Sequence, residues 1–129
     1  MAVRRMKLSS MAGFLAGEVS STQLKSAIKD EVDRYEAALD KVGASVPIRV
    51  EEDVDLVLAP QNLAVLCLLY VSGTLSATEL SYLADVLLLS ERVDFLEDDV
   101  RARVEEMTDP EVNGAFTQER ALAVLRAFA

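Results

Sequence analysis

Histidine is absent from the sequence, and with it the side chain that most often serves as general base and metal ligand near neutral pH. Every triad or dyad built on imidazole is thereby excluded. The single cysteine, Cys67, rules out an intramolecular disulfide. It sits in the most apolar run of the chain, where a thiol behaves as a small hydrophobe and its thiolate is disfavoured. A structural role and a reducing, cytoplasmic setting are expected. Tryptophan is missing and aromatics make up only 5% of residues, so a core must be built from Leu, Val and Ala, a palette suited to helix packing. The five glycines are isolated and none forms a Gly-rich loop before a helix, so no phosphate cradle or nucleotide cofactor is implied. Long hydrophobic runs are lacking too: Leu63 to Val71 is nine residues, against the roughly 20 needed to cross a bilayer. Arg4, Arg5 and Lys7 precede an apolar stretch, but Ser9, Ser10 and Gly13 break it, so it does not read as a signal peptide.

What is present is a globular composition. The chain has 129 residues, of which 51% are hydrophobic, enough for one buried core without staples. The expectation is an all-α fold, a compact bundle of five to six short helices with room for one minor two-stranded β element. It forms a single helical domain over 1–129 with residues 1–7 frayed. Formal charge is −9, unevenly spread. Residues 1–30 carry five basic against two acidic side chains, while 31–129 carry eight against twenty. An acidic body repels phosphate backbones, which disfavours nucleic acid and favours a basic protein partner. The same charge also serves plain solubility.

Periodicity places the helices. The first is expected from Ser9 or Ser10 to Ala16, with Met11, Phe14 and Leu15 on one side and Gly17 ending it. The next starts from a cap at Ser21 or Thr22. Its Leu24, Ile28, Val32, Tyr35, Leu39 and Val42 recur at helical spacing up to Gly43, and Lys29 and Asp33 lie on the solvated face. Between Pro47 and Pro60 a loop is favoured, with Glu51, Glu52 and Asp53 opening a short helix. A strand pair made from Ile48–Val50 and Val93–Phe95 is the rival reading. Leu63 to Val71 is apolar all round and reads as a central helix buried on most sides, with Pro60 in its first turn and Gly73 at its exit. Ser76-Ala77-Thr78-Glu79 is a capping box, opening a helix to Leu89 that packs antiparallel on the central one through Leu80, Leu83, Ala84, Leu87 and Leu88. Glu97, Asp98 and Asp99 open a further helix with Val100, Val104 and Met107 inward. After a turn at Asp109-Pro110 and Asn113-Gly114, Thr117 caps a last helix whose Ala121, Leu122, Leu125 and Phe128 face the core.

Carboxylates are the only reactive groups in quantity. Asp53-Val54-Asp55 lacks the third ligand and central glycine of a Ca²⁺ loop, and Glu105-Glu106 diverges around a helix. No catalytic, metal or cofactor site is therefore assigned. The candidate partner-binding residues are Glu51, Glu52, Asp53 and Asp55, with Glu97, Asp98 and Asp99, because acids in connections and at helix starts are exposed. The leading expectation is an acidic interaction module that neutralises a basic toxin or nuclease domain, as immunity proteins and antitoxins do. A structural or regulatory helical homodimer is the alternative, and a carboxylate/Mg²⁺ enzyme a weaker one. Titration calorimetry with Mg²⁺ is expected to register no binding heat; a stoichiometric site would instead revive the enzyme reading.

Overall fold

Four of the six described helices begin where a hydroxyl or carboxyl oxygen accepts one of the first-turn amides, which have no partner inside the helix. The computed structural model describes residues 6–39, 50–108 and 116–128. Six helices account for 68% of these residues, beside a minor β component. The chain divides into two compact units, Met1–Asp55 and Leu56–Ala129.

In the first unit, β1 (Met6–Lys7) runs straight into α1 (Leu8–Leu15), and α2 spans Ser21–Leu39. Leu8, Met11, Phe14 and Leu15 of α1 are buried, as are Leu24, Ile28, Val32 and Tyr35 of α2. The two helices pack on each other, burying the stripes that their periodicity marks. Gly17 ends α1 with φ +82°, a left-handed geometry in which a side chain is strained. The cap of α2 is one residue earlier than expected. Ser20 Oγ accepts the Gln23 amide at 3.1 Å and Gln23 Oε1 accepts the Ser20 amide at 3.0 Å. Of the three hydroxyl residues in a row, only Ser20 has a reciprocating side chain three positions on.

Residues 50–59 correct the expectation of a loop and short helix. Val50–Glu51 forms β2, paired in parallel with β1 so that Met6 faces Val50 and Lys7 faces Glu51. Residues 6 and 7 are thus ordered into a strand and do not belong to a frayed terminus. Leu56–Leu58 forms β3, which pairs in parallel with β4, Val93–Phe95. The strand expected at Val93–Phe95 therefore exists with a different partner. Ile48, Val42, Gly43, Asp109-Pro110 and Asn113-Gly114 lie outside the described residues. The physical reason for the correction is burial: Leu58 is fully buried, and Val54, Leu56 and Leu58 alternate with polar or exposed positions, a period of two that a helix cannot use.

The second unit is built on α3 (Pro60–Val71), α4 (Ala77–Leu89), α5 (Asp98–Glu106) and α6 (Gln118–Phe128). Pro60 occupies the first turn of α3, and Asn62 Oδ1 accepts the Ala59 amide at 2.9 Å. Gly73, at φ +82°, turns the chain out of the helix while the Thr74 and Leu75 amides return to Leu69 O at 2.9 and 3.1 Å. The capping box of α4 is present, with Glu79 N donating to Ser76 Oγ at 3.1 Å and Ser76 N to Glu79 Oε1 at 2.8 Å. Thr117 Oγ1 accepts the Arg120 amide at 3.2 Å and starts α6.

The core of this unit is Leu58, Leu63, Leu66, Cys67, Leu75, Leu80, Tyr82, Leu83, Val86, Leu87, Val100, Val104, Ala121 and Val124. The helix α3 meets α6 over a longer stretch than it meets α4, while α4 packs chiefly on α5. Tyr70 near the end of α3 donates its hydroxyl to Phe116 O at 2.8 Å, just before α6 begins. The two helices thus run antiparallel. Leu68, 58% exposed, marks the solvent side of α3, whose Leu63, Leu66 and Cys67 are fully buried. One expectation changes here. On α6 the inward position is Val124, three residues after Ala121, and Leu122 turns partly to solvent.

Removing the Ser76 hydroxyl in Ser76→Ala is expected to cost about 1 kcal/mol. Leu83→Ala, at a fully buried site, is expected to cost about 2–5 kcal/mol. Urea unfolding followed by circular dichroism measures both.

Candidate functional site

The acids singled out from the sequence fall into different units. Glu51 is exposed on β2, Glu52 is half-buried and engaged by its surroundings, and Asp53 and Asp55 are exposed beyond the strand. Asp53 is not a free surface charge. Its Oδ1 accepts the Ser9 amide at 2.9 Å and its Oδ2 accepts the Ser9 hydroxyl at 2.6 Å. Ser9 is in the first turn of α1, and no side chain at Lys7 caps that helix. Asp53 thus caps α1 from 44 positions away. The Ser9 hydroxyl, then its amide, stabilise the carboxylate and hold the Asp53 carboxyl below the usual aspartate range. Of the four acids in this group, Asp53 has a structural task.

Glu97, Asp98 and Asp99 are exposed at the start of α5. Glu97 occupies the cap position without a side-chain hydrogen bond to the helix. Their charges complement the first-turn amides of α5 at long range, while their side chains stay in solvent. Among the described residues none of the three is ion-paired.

Two arginines share one acid nearby. Arg103 Nη1 donates to Glu106 Oε1 at 2.7 Å, and Arg120 Nη2 lies 3.8 Å from Glu106 Oε2, so α5 and α6 are tied through a single carboxylate. The Arg120 guanidinium also sits 5.5 Å over the Phe116 ring. Together with Ala123, Val124 and Ala127 these side chains line a groove of about 280 Å³, at the lower edge of small-molecule pockets. Its charged groups are paired within the groove, both arginines facing Glu106.

Cys67 is fully buried. Burial pushes its thiol up to about 12, so the nucleophilic thiolate is not formed near neutral pH. Among the described residues no three Cys, Asp or Glu side chains come together as a metal site, and no helix is long and apolar enough to cross a membrane. Comparison of the chain with protein-family models, with curated proteins and with solved structures finds no match.

Exposed apolar side chains are the feature that sequence reasoning passed over. Val57 on β3 and Leu96 after β4 are 53% and 61% exposed. Leu96 stands directly before Glu97, and that adjacency of a bulky apolar residue to three acids is the signal that marks it.

Since Asp53 is held deprotonated in the folded chain, its contribution is present above the ordinary carboxyl range and lost as pH falls through its lowered folded value. Asp53→Asn is expected to lower the urea midpoint at neutral pH and to reduce the loss of stability below about pH 4; parallel pH series of the two proteins measure the difference. Cys67 is expected to stay unmodified by a thiol reagent at pH 8 and to react fully once urea unfolds the chain.

Proposed function

We propose that the protein is a small acidic binding module, without catalytic chemistry of its own, that acts in the cytoplasm by masking a basic surface on another protein, such as a toxin or nuclease domain. The observation that carries this reading is the free triad Glu97, Asp98 and Asp99, exposed on the second unit of a chain of net charge −9. Complementary charge of this kind speeds encounter and selects a basic partner over an acidic one. The buried, protonated Cys67 and the self-satisfied groove at Glu106 add support, since each withdraws a reactive group from chemistry. A nucleic-acid ligand is disfavoured by the same potential that favours a basic protein.

A homodimer is a second reading. It is favoured by Leu68 and Leu122, which stay exposed on the packed pair α3 and α6 and would be covered if a second copy packed on that face.

Affinity capture from source lysate at low salt is expected to retain a basic protein that elutes as ionic strength rises past the screening range. Retention of acidic or neutral proteins alone would overturn the reading. Light scattering across a dilution series is expected to give the mass of one chain, and a dimer mass that persists on dilution would transfer the case to the second reading.

A further inference from the structure

Parallel strands are found almost entirely in sheets covered on both faces. The pair β3 and β4, three residues each and parallel, departs from that rule on one side. Its inner face carries the buried Leu58 and Val93, with Leu56 and Phe95 half-buried. On the outer face Val57 stands opposite Asp94 in register. Leu96 continues the strand path, its amide donating to Leu58 O at 3.0 Å. Alternation along the strand puts Val57, Asp94 and Leu96 on the same side, and the two apolar members are both more than half exposed.

Acids outnumber cations in the chain beside this face, five against the two arginines Arg92 and Arg101. Glu91, Asp94, Glu97, Asp98 and Asp99 are exposed, and among the described residues none is ion-paired. The neighbouring cations are spent within the chain. Arg101 lies 5.6 Å over the Phe95 ring and bonds Glu105 at 3.2 Å, and Arg92 is engaged by its own surroundings. Exposed apolar side chains with unpaired acids beside them in the chain match the plan of a protein interface, in which the centre supplies affinity and the rim selects charge.

We propose that the outer face of β3–β4, centred on Val57 and Leu96 and bordered by Asp94 and Glu97 to Asp99, is the docking surface for a basic protein segment that places apolar side chains between lysines or arginines. The proposal rests on the basic-partner reading above and locates it. A second copy is the poorer occupant, because it would bring another −9 chain against the same acidic rim.

The test uses two synthetic probes: a short peptide alternating lysine with leucine, and a lysine-only peptide of equal length. Each is titrated into the isotope-labelled full chain at low salt and followed by amide chemical shifts. The alternating peptide is expected to bind roughly five- to tenfold more tightly than the lysine-only one and to move the signals of Val57, Asp94, Leu96 and Glu97 to Asp99. Leu96→Ser and Val57→Ser, both at exposed positions, are expected to remove that preference without changing the thermal midpoint. Replacing Glu97, Asp98 and Asp99 together by their amides is expected to weaken both peptides and flatten the salt dependence. Shifts confined to Glu51 to Asp55 would overturn the location while leaving the basic-partner reading intact. Binding of neither peptide would overturn both. Shifts that follow protein concentration without any peptide would overturn the proposal in favour of a second copy.

Discussion

The four amides at the start of every helix have no acceptor within it, and the way this protein supplies acceptors organises much of the rest. Locally the solution is a short polar side chain three residues from its target: Ser20 with Gln23, Ser76 with Glu79, Thr117 with Arg120. At α3 only the returning half is made, from Asn62 to the Ala59 amide. At α1 the local solution is missing, since Lys7 has no acceptor to offer, and Asp53 takes over from beyond β2. That single carboxylate ties the start of the first helix to the end of the parallel pair β1–β2. A negative charge that would look expendable on the surface is thus part of how the first unit closes.

The acids divide between those the fold uses and those it leaves in solvent. Acids at helix starts are cheap to place, because the amides they approach carry partial positive charge. Once placed they need not be consumed. Asp53 is consumed by Ser9 and Glu106 by Arg103 and Arg120, whereas Glu97, Asp98 and Asp99 keep their carboxylates in solvent. The second unit therefore carries a negative corner that its own packing does not need to neutralise. Exposed surface ion pairs such as Lys29–Asp33 contribute little by comparison. The thiol of Cys67 is likewise withdrawn from solvent, buried and protonated.

Much of the architecture was legible from residue spacing. Leu24, Ile28, Val32 and Tyr35 had to share one helical face whatever they packed against, and Ser76 with Glu79 had to mark a helix start, because both patterns involve residues within a turn or two of each other. Glu97, Asp98 and Asp99 opened α5 for the same local reason. The errors arose where the pattern was short or ambiguous. Ser20, Ser21 and Thr22 offer three hydroxyls within one turn, and only the position of Gln23 selects among them. Leu122 and Val124 are both apolar, and which one turns inward depends on the rotation of α6 against α3.

By itself the sequence determined the helical class, the positions of most helix starts and stops, the absence of imidazole chemistry and the acidic balance, since each is a matter of composition or of neighbours along the chain. Only the tertiary structure decided that Met6–Lys7 joins Val50–Glu51, that Leu56–Leu58 joins Val93–Phe95, that Asp53 reaches Ser9, and that Val57 and Leu96 remain uncovered. Those pairings span tens of residues. A strand of two or three residues has no hydrogen-bond partner within itself, so nothing in its local sequence can name the segment that will complete it.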